Sequence, residues 1–134
     1  MEEGFSIINK TKTRLGRFTA PAGFKALKKL KNSILGKDYY LSMALVGEEA
    51  SRKINKKYRN KNRPANVLSF SLHKNAGEII ICPAVAKKDA TKFSTTLLGF
   101  LKLLSVHGML HLKGMRHGPV MEKLEKKHTL RAKF

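Results

Sequence analysis

Cysteine is nearly absent from the chain, which carries only Cys82, and tryptophan is missing altogether. A single thiol forms no internal disulfide, so a cross-linked secreted scaffold is excluded, and a lone cysteine closing an apolar run reads as buried packing rather than a nucleophile. Acidic residues are scarce as well: 9 Asp and Glu stand against 28 Lys and Arg, a formal net charge of +19. Solubility needs far less, and an excess of this size condenses onto phosphates by releasing their counterions, so a polyanion is the expected partner. Long hydrophobic runs are lacking too. The longest, Leu97 to Leu112, is broken by Lys102, His107 and His111 and falls short of the ~20 apolar residues of a membrane span. It reads as a buried helix, and no membrane association is expected. The opening MEEGFSIINK has two glutamates and no apolar core of signal-peptide length, which leads us to expect a cytoplasmic protein.

What is present is punctuated evenly. No internal repeat or low-complexity linker interrupts the 134 residues, so residues 1–134 are read as one domain. Phe5 to Ile8 suits a short strand. Pro21 opens a segment whose Phe24, Leu27, Leu30, Ile34 and Leu35 fit helical spacing, stopped at Gly36. Tyr39 to Val46 reads as a second strand, followed from Gly47 by a polar helix to about Tyr58. Val67 to Leu72 and Glu78 to Ile81 read as a hairpin turning through His73 to Gly77, with Pro83 closing its second strand. From Ser94 to Lys113 apolar residues cover nearly the whole circumference, as in a central helix packed on all sides. A charged helix follows Pro119. The expected fold is α+β: a mixed four-stranded sheet packed with helices, the central buried helix carrying the histidines discussed next.

The segment HGMLHLKGMRH places His107 and His111 four residues apart, on one helical face about one turn from each other. Gly114 lets the chain leave the helix with a positive φ, so that His117 can swing back as a third ligand. Three neutral imidazoles suit zinc or a neighbouring transition metal and suit magnesium poorly. They also leave one coordination position for a water whose pKa zinc lowers to about 7, which is a hydrolase's equipment. His73 and His128 have no partners at ligand spacing and read as surface residues.

The spacing H-x-x-x-H-x-x-G-x-x-H is also that of the metzincin peptidases, which place a glutamate directly after the first histidine as general base. Here that position is Gly108, and no carboxylate lies between Thr91 and Val120, which disfavours peptide hydrolysis. A second feature is basic. Lys56, Lys57, Arg59, Lys61 and Arg63 crowd the span around Tyr58 and form an expected RNA phosphate-binding patch. Arg59 stands out because a planar guanidinium holds two phosphate oxygens at once.

With these segments in view, the chain resembles the YbeY-type rRNA maturation endoribonucleases. HGMLHLKGMRH is similar to the family's H-G-x-L-H-L-x-G-x-D-H, YRNKNRPANVLSF to its Y-R-x-x-x-x-P-T-D-V-L-S-F, and GEIIIC to its G-D-I-x-I, in the family's order. The resemblance implies an α+β fold, a zinc-like site on a helix facing a basic groove, and a role in processing small-subunit ribosomal RNA and in ribosome quality control. By it, His107, His111 and His117 match the metal ligands and Arg59 matches a functional arginine. The chain departs from the pattern at Arg116, where the family has aspartate, and at Ala65 and Asn66, where it has Thr-Asp. An aspartate beside a ligand orients an imidazole or tunes bound water, so a cation in its place bears on reactivity.

The expected activity is cleavage of single-stranded RNA by a metal-activated water or by the substrate's 2′-OH. Arg59 stabilises charge on the phosphorane, and Glu78 is the candidate base by motif position. The expected cofactor is one transition-metal ion, Zn2+ first. The expected partners are ribosomal RNA and the small ribosomal subunit, with a ribosomal protein or GTPase as a guide. The rival readings are a non-catalytic ribosome-assembly factor with a structural or vestigial metal site and, further off, a metallopeptidase.

Overall fold

The computed structural model describes residues 4–134; the first three, which include both glutamates of the opening segment, lie outside the described residues. Four strands, β1 (Phe5–Asn9), β2 (Tyr40–Leu45), β3 (Val67–His73) and β4 (Ala76–Ile81), form one sheet in the order β1-β2-β4-β3. β1 runs parallel to β2 and β2 to β4, while β3 pairs antiparallel with β4, so the sheet is mixed. Helix α1 (Pro21–Ile34) makes the β1–β2 crossover and α2 (Glu48–Arg59) links β2 to the hairpin; α3 (Pro83–Lys92), α4 (Leu97–Leu112) and α5 (Pro119–Arg131) follow it.

Alternation along the strands sorts their side chains onto two faces. Phe5, Leu41, Met43, Leu45, Ile79 and Ile81 meet α1 and α4 in the larger core, whereas Ala44, Val46, Leu68 and Ile80 form a smaller cluster on the opposite face, covered by Ile54 of α2. Leu101, Val106, Met109 and Leu110 of α4 are almost wholly inaccessible. Each such side chain contributes about 1.5–3 kcal/mol by leaving water, so α4 is the best-anchored element of the fold. Gly108 allows the close approach: a Cβ there would sit 2.9 Å from Ile79 and 3.0 Å from the Ser69 hydroxyl.

Most expected elements are present, and three differ. Pro83 ends β4 and also begins α3, a ten-residue helix that the sequence reading passes over. Its inner face is small, built from Ala86 and Ala90, and gives almost no apolar periodicity. The hairpin turn is tighter than expected, because β3 extends to His73 and β4 starts at Ala76, with a register shift at Ser71/His73. The central helix begins at Leu97 rather than Ser94, since Thr96 caps it by accepting from the Gly99 N–H.

Lys31 is the one fully buried cation among the described residues. Its ammonium donates to the carbonyls of Gly36, Lys37 and Tyr39, tying the end of α1 to the start of β2. Among the described residues no single helix is long and apolar enough to cross a membrane; α3 and α4 reach that length only together, and they bend by 108° where they join.

Candidate metal centre and nucleic-acid groove

His107 and His111 lie one turn apart on α4, and their Nε2 atoms approach to 3.1 Å. Gly114, at φ +102°, then turns the chain out of the helix. Its N–H donates to the His111 carbonyl and that of Met115 to the Leu110 carbonyl, satisfying acceptors that the helix end leaves open. The turn returns His117 to the pair, with ring centroids 5.0 Å from His107 and 4.7 Å from His111. One ring nitrogen from each histidine lies within 4.8 Å of the others, a group that could hold a metal ion.

The outer nitrogens decide which inner ones are available. Nδ1 of His111 faces the Met115 carbonyl at 3.2 Å, and Nδ1 of His107 faces a carboxylate oxygen of Glu125 at 2.6 Å. Both partners are acceptors, so each Nδ1 donates, and in the neutral rings each Nε2 presents a lone pair to the other. Two lone pairs pointing at each other repel unless a positive centre lies between them. Ligands held ~2.0–2.1 Å from a tetrahedral ion stand roughly 3.4 Å apart, close to the spacing observed. The donor set, all neutral imidazole nitrogen, therefore fits a transition-metal ion. Burial lowers the His111 pKa, with the neighbouring His107 and His117 adding to the effect and the Met115 carbonyl opposing it. The ring is thus biased toward the neutral form that a metal requires.

The triad opens into a cleft of about 540 Å³ whose far wall is Arg59, Asn66 and Ser69. Arg59 ends α2, and Asn60, in the left-handed conformation at φ 58°, caps it. The loop that follows is pinned from beneath. Nearly buried Asn55 donates to the Arg63 carbonyl at 2.8 Å, while the Ser51 hydroxyl exchanges hydrogen bonds with Ala65. The basic side chains of the loop stay on the surface, and Arg59, Lys61 and Arg63 line a second cleft joined to the first through Arg59, Asn66 and Val67.

Not every expected residue arrives at the site. Glu78 pairs across the hairpin with Phe70, and Phe70 packs in the cluster on the α2 face of the sheet. The carboxylate therefore projects away from the histidines, which lie over the other face, and the assignment of Glu78 as general base is corrected on this ground. Lys56 and Lys57 sit on exposed turns of α2 outside both clefts, with Lys57 over the Tyr58 ring at 5.2 Å. His73 accepts from the Asn75 N–H in the hairpin turn. His128, expected on the surface, is half-buried on α5, and Cys82 is buried, which raises its thiol pKa.

Two contributors were not anticipated. Glu125 reaches His107 from α5, which packs on α4, and so supplies the carboxylate that the segment 91–120 lacks. A signal for it exists: Glu125 lies four residues after Met121, a residue only 2 % exposed, and so shares the inner face of that helix. Asn66, noted only as a departure from the family pattern, lies where the clefts meet, its amide donating to Asp89 at 2.9 Å. Nothing in a 23-residue separation announces that contact.

The chain is similar to known proteins along most of its length. The family model described as Endoribonuclease YbeY matches residues 7–133. Endoribonuclease YbeY of Colwellia psychrerythraea is 38% identical over 95 residues, covering 66% of this chain and 61% of the relative. That of Rubrobacter xylanophilus is 43% identical over 89 residues, covering 63% and 58%. The match thus spans about three fifths of either relative's length. The solution structure of TM1509 from Thermotoga maritima superposes with a TM-score of 0.64 at 28% identity, over 93% of this chain and 86% of that one. With nearly its whole length matched, the chain belongs to the Endoribonuclease YbeY family.

Proposed function

We propose that this protein is a metal-dependent endoribonuclease that cuts single-stranded RNA during maturation of the small-subunit ribosomal RNA and takes part in ribosome quality control. The observation that carries the reading is the convergence of His107, His111 and His117 at the floor of a cleft walled by Arg59. Three neutral nitrogens favour zinc, which when bound supplies Lewis acidity and makes a water acidic near neutral pH. The chain's own residues do the rest. Arg59 and its neighbours Lys61 and Arg63 hold the RNA backbone, and the Arg59 guanidinium faces charge developing on the phosphoryl oxygens. Glu125 and the Met115 carbonyl keep the two helical imidazoles turned inward. The charge of +19 supports a polyanionic partner, and the family resemblance points to ribosomal RNA within the small subunit, with a ribosomal protein or GTPase as a guide, in the cytoplasm.

The residues lining the triad cleft include no carboxylate, so no acid of that cleft takes the nucleophile's proton, whether the nucleophile is the substrate's own 2′-OH or a metal-activated water. A 2′,3′-cyclic phosphate end on the product indicates the first route, and its absence from the earliest products the second. The same observation favours one rival, a ribosome-assembly factor that binds RNA beside a metal site and cuts nothing.

The test is metal analysis of the purified chain and of its His111→Ala variant, paired with cleavage of a single-stranded ribosomal RNA fragment before and after chelation. Stoichiometric metal and chelator-sensitive cleavage in the parent, both lost in the variant, are expected. Full cleavage by His107→Ala in chelator would overturn the nuclease mechanism. Tight binding of ribosomal particles without turnover under any metal would favour the assembly factor. Metallopeptidase activity is disfavoured by Gly108. That position presses on Ile79 and Ser69 of the sheet, where even a Cβ would come within 3.0 Å, so it has no room for the glutamate that a metzincin places there.

A further inference from the structure

Phe93 is 69% exposed, an unusual place for a phenyl ring in a chain with this many charges. It caps the C-terminus of α3, just before Ser94 at φ 53°, and its ring stacks nearly parallel on Phe100 of α4, with centroids 5.7 Å apart and planes inclined by 15°. Phe100 is buried, so one face of Phe93 is supported and the ring is held out on a rigid base.

The two rings form one wall of a third cleft, which contains Leu103 and ends at His107. It shares His107 with the triad cleft and shares Asn66 and Val67 with both the triad cleft and the basic one. The three are thus parts of one groove. Its arms differ in chemistry. The basic arm carries Arg59, Lys61, Arg63 and Lys92. The Phe93 arm is lined mainly by aromatic and aliphatic side chains, with Thr95 and Thr129 among them, and its one carboxylate, Glu125, is engaged by His107. Phe100 and His107 are seven residues apart on α4, about 10 Å along the axis at ~1.5 Å per residue.

A polyanion made only of phosphate would have no use for an aromatic wall. Single-stranded RNA, by contrast, alternates a charged backbone with flat, weakly polar bases, and proteins that bind it pair basic grooves with aromatic platforms. We infer that Phe93, backed by Phe100, is the stacking platform for one unpaired nucleobase of the RNA strand, a nucleotide or two from the phosphate held at the triad. The assignment rests on the RNA-cleaving function proposed above and adds a subsite to it. The platform takes a base already splayed from its neighbours, so the groove selects unpaired strands.

The test measures affinity of the chelated protein, which cannot cut, for a short oligoadenylate and for the same strand carrying abasic riboses. For wild type the abasic strand binds more weakly. Phe93→Ala lowers affinity for the intact strand by on the order of ten-fold or more and leaves affinity for the abasic strand unchanged. Phe93→Trp restores the intact-strand affinity and Phe93→Leu does not, which separates stacking from mere apolar cover. Equal binding of the intact strand by Phe93→Ala and wild type overturns this subsite alone, as does an equal loss on both strands. Absence of any salt-sensitive binding by wild type overturns the subsite together with the function on which it rests.

Discussion

The two faces of the β3–β4 hairpin carry residues of similar type and have opposite fates. On the α4 face, Val67 and Ser69 border the histidine cleft, and Gly108 of α4 rests on Ser69 and Ile79. On the α2 face, one residue along each strand, Phe70 and Glu78 pair beneath Tyr58, whose ring meets Phe70 edge-on at 5.3 Å. Only the first face can reach a ligand held by α4. A carboxylate in a motif next to the site is therefore excluded from it by strand alternation, whereas Glu125, outside every motif considered and 18 residues from His107, enters it because α5 packs on α4. Position in the fold, not proximity in a motif, decides which acid takes part.

The largest effect that sharpens this contrast is expected at Glu125. Its carboxylate lies 2.6 Å from His107 Nδ1, where it favours the tautomer with hydrogen on that nitrogen, and loss of such a partner typically weakens metal affinity by roughly 10–100-fold. Glu125→Ala should show that loss in a competition titration against a chromophoric chelator. Glu125→Gln, whose amide oxygen still accepts from Nδ1–H, should recover much of it. An unchanged titration for Glu125→Ala would mean that the 2.6 Å contact has no role in orienting the ligand.

A smaller, structural effect is expected at Gly108. The added side chain of Gly108→Val has nowhere to go between α4 and the sheet. Overpacking costs about 1–3 kcal/mol, and valine, a weak helix former, recovers only about 0.3–0.5 kcal/mol over glycine, leaving a net loss of about 0.5–2.7 kcal/mol in denaturant unfolding. Because His107 is the adjacent residue, metal affinity should fall in the same variant. A variant as stable as the parent would show that α4 does not press on the sheet there.

How much of this was legible follows from what each feature depends on. The strands, α1, α2, α4 and α5 are visible because their apolar spacing and their Pro and Gly boundaries are local properties of the chain. The triad is visible for the same reason: His107 and His111 need only a helix, and His117 needs only the Gly114 turn. Helix α3 stays hidden because alanines against a core leave no periodic signature. The basic patch is legible as composition but not as geometry, since only the fold separates Arg59, Lys61 and Arg63, which line the groove, from Lys56 and Lys57, which do not. The partners of Glu125 and Asn66 are tertiary, and no spacing rule encodes them.

The smallest expected effect is the most exacting for the contrast between faces. Glu78 has the charge and the motif position of a site residue, yet its side chain shares a sheet face with Phe70 and Ile80 rather than with Ser69 and Ile79. Glu78→Gln keeps the shape and removes the charge, so metal affinity and RNA cleavage should match the parent, and stability should shift by no more than ~0.5 kcal/mol, as for a substitution away from a buried network. The measurement pairs the chelator titration with a cleavage rate taken across several pH values. A drop in rate with altered pH dependence, at unchanged metal affinity, would require Glu78 to act on the substrate's proton from behind the sheet. That would mean the hairpin turns over or opens during the reaction, and the separation of the two faces would no longer account for which acid serves the site.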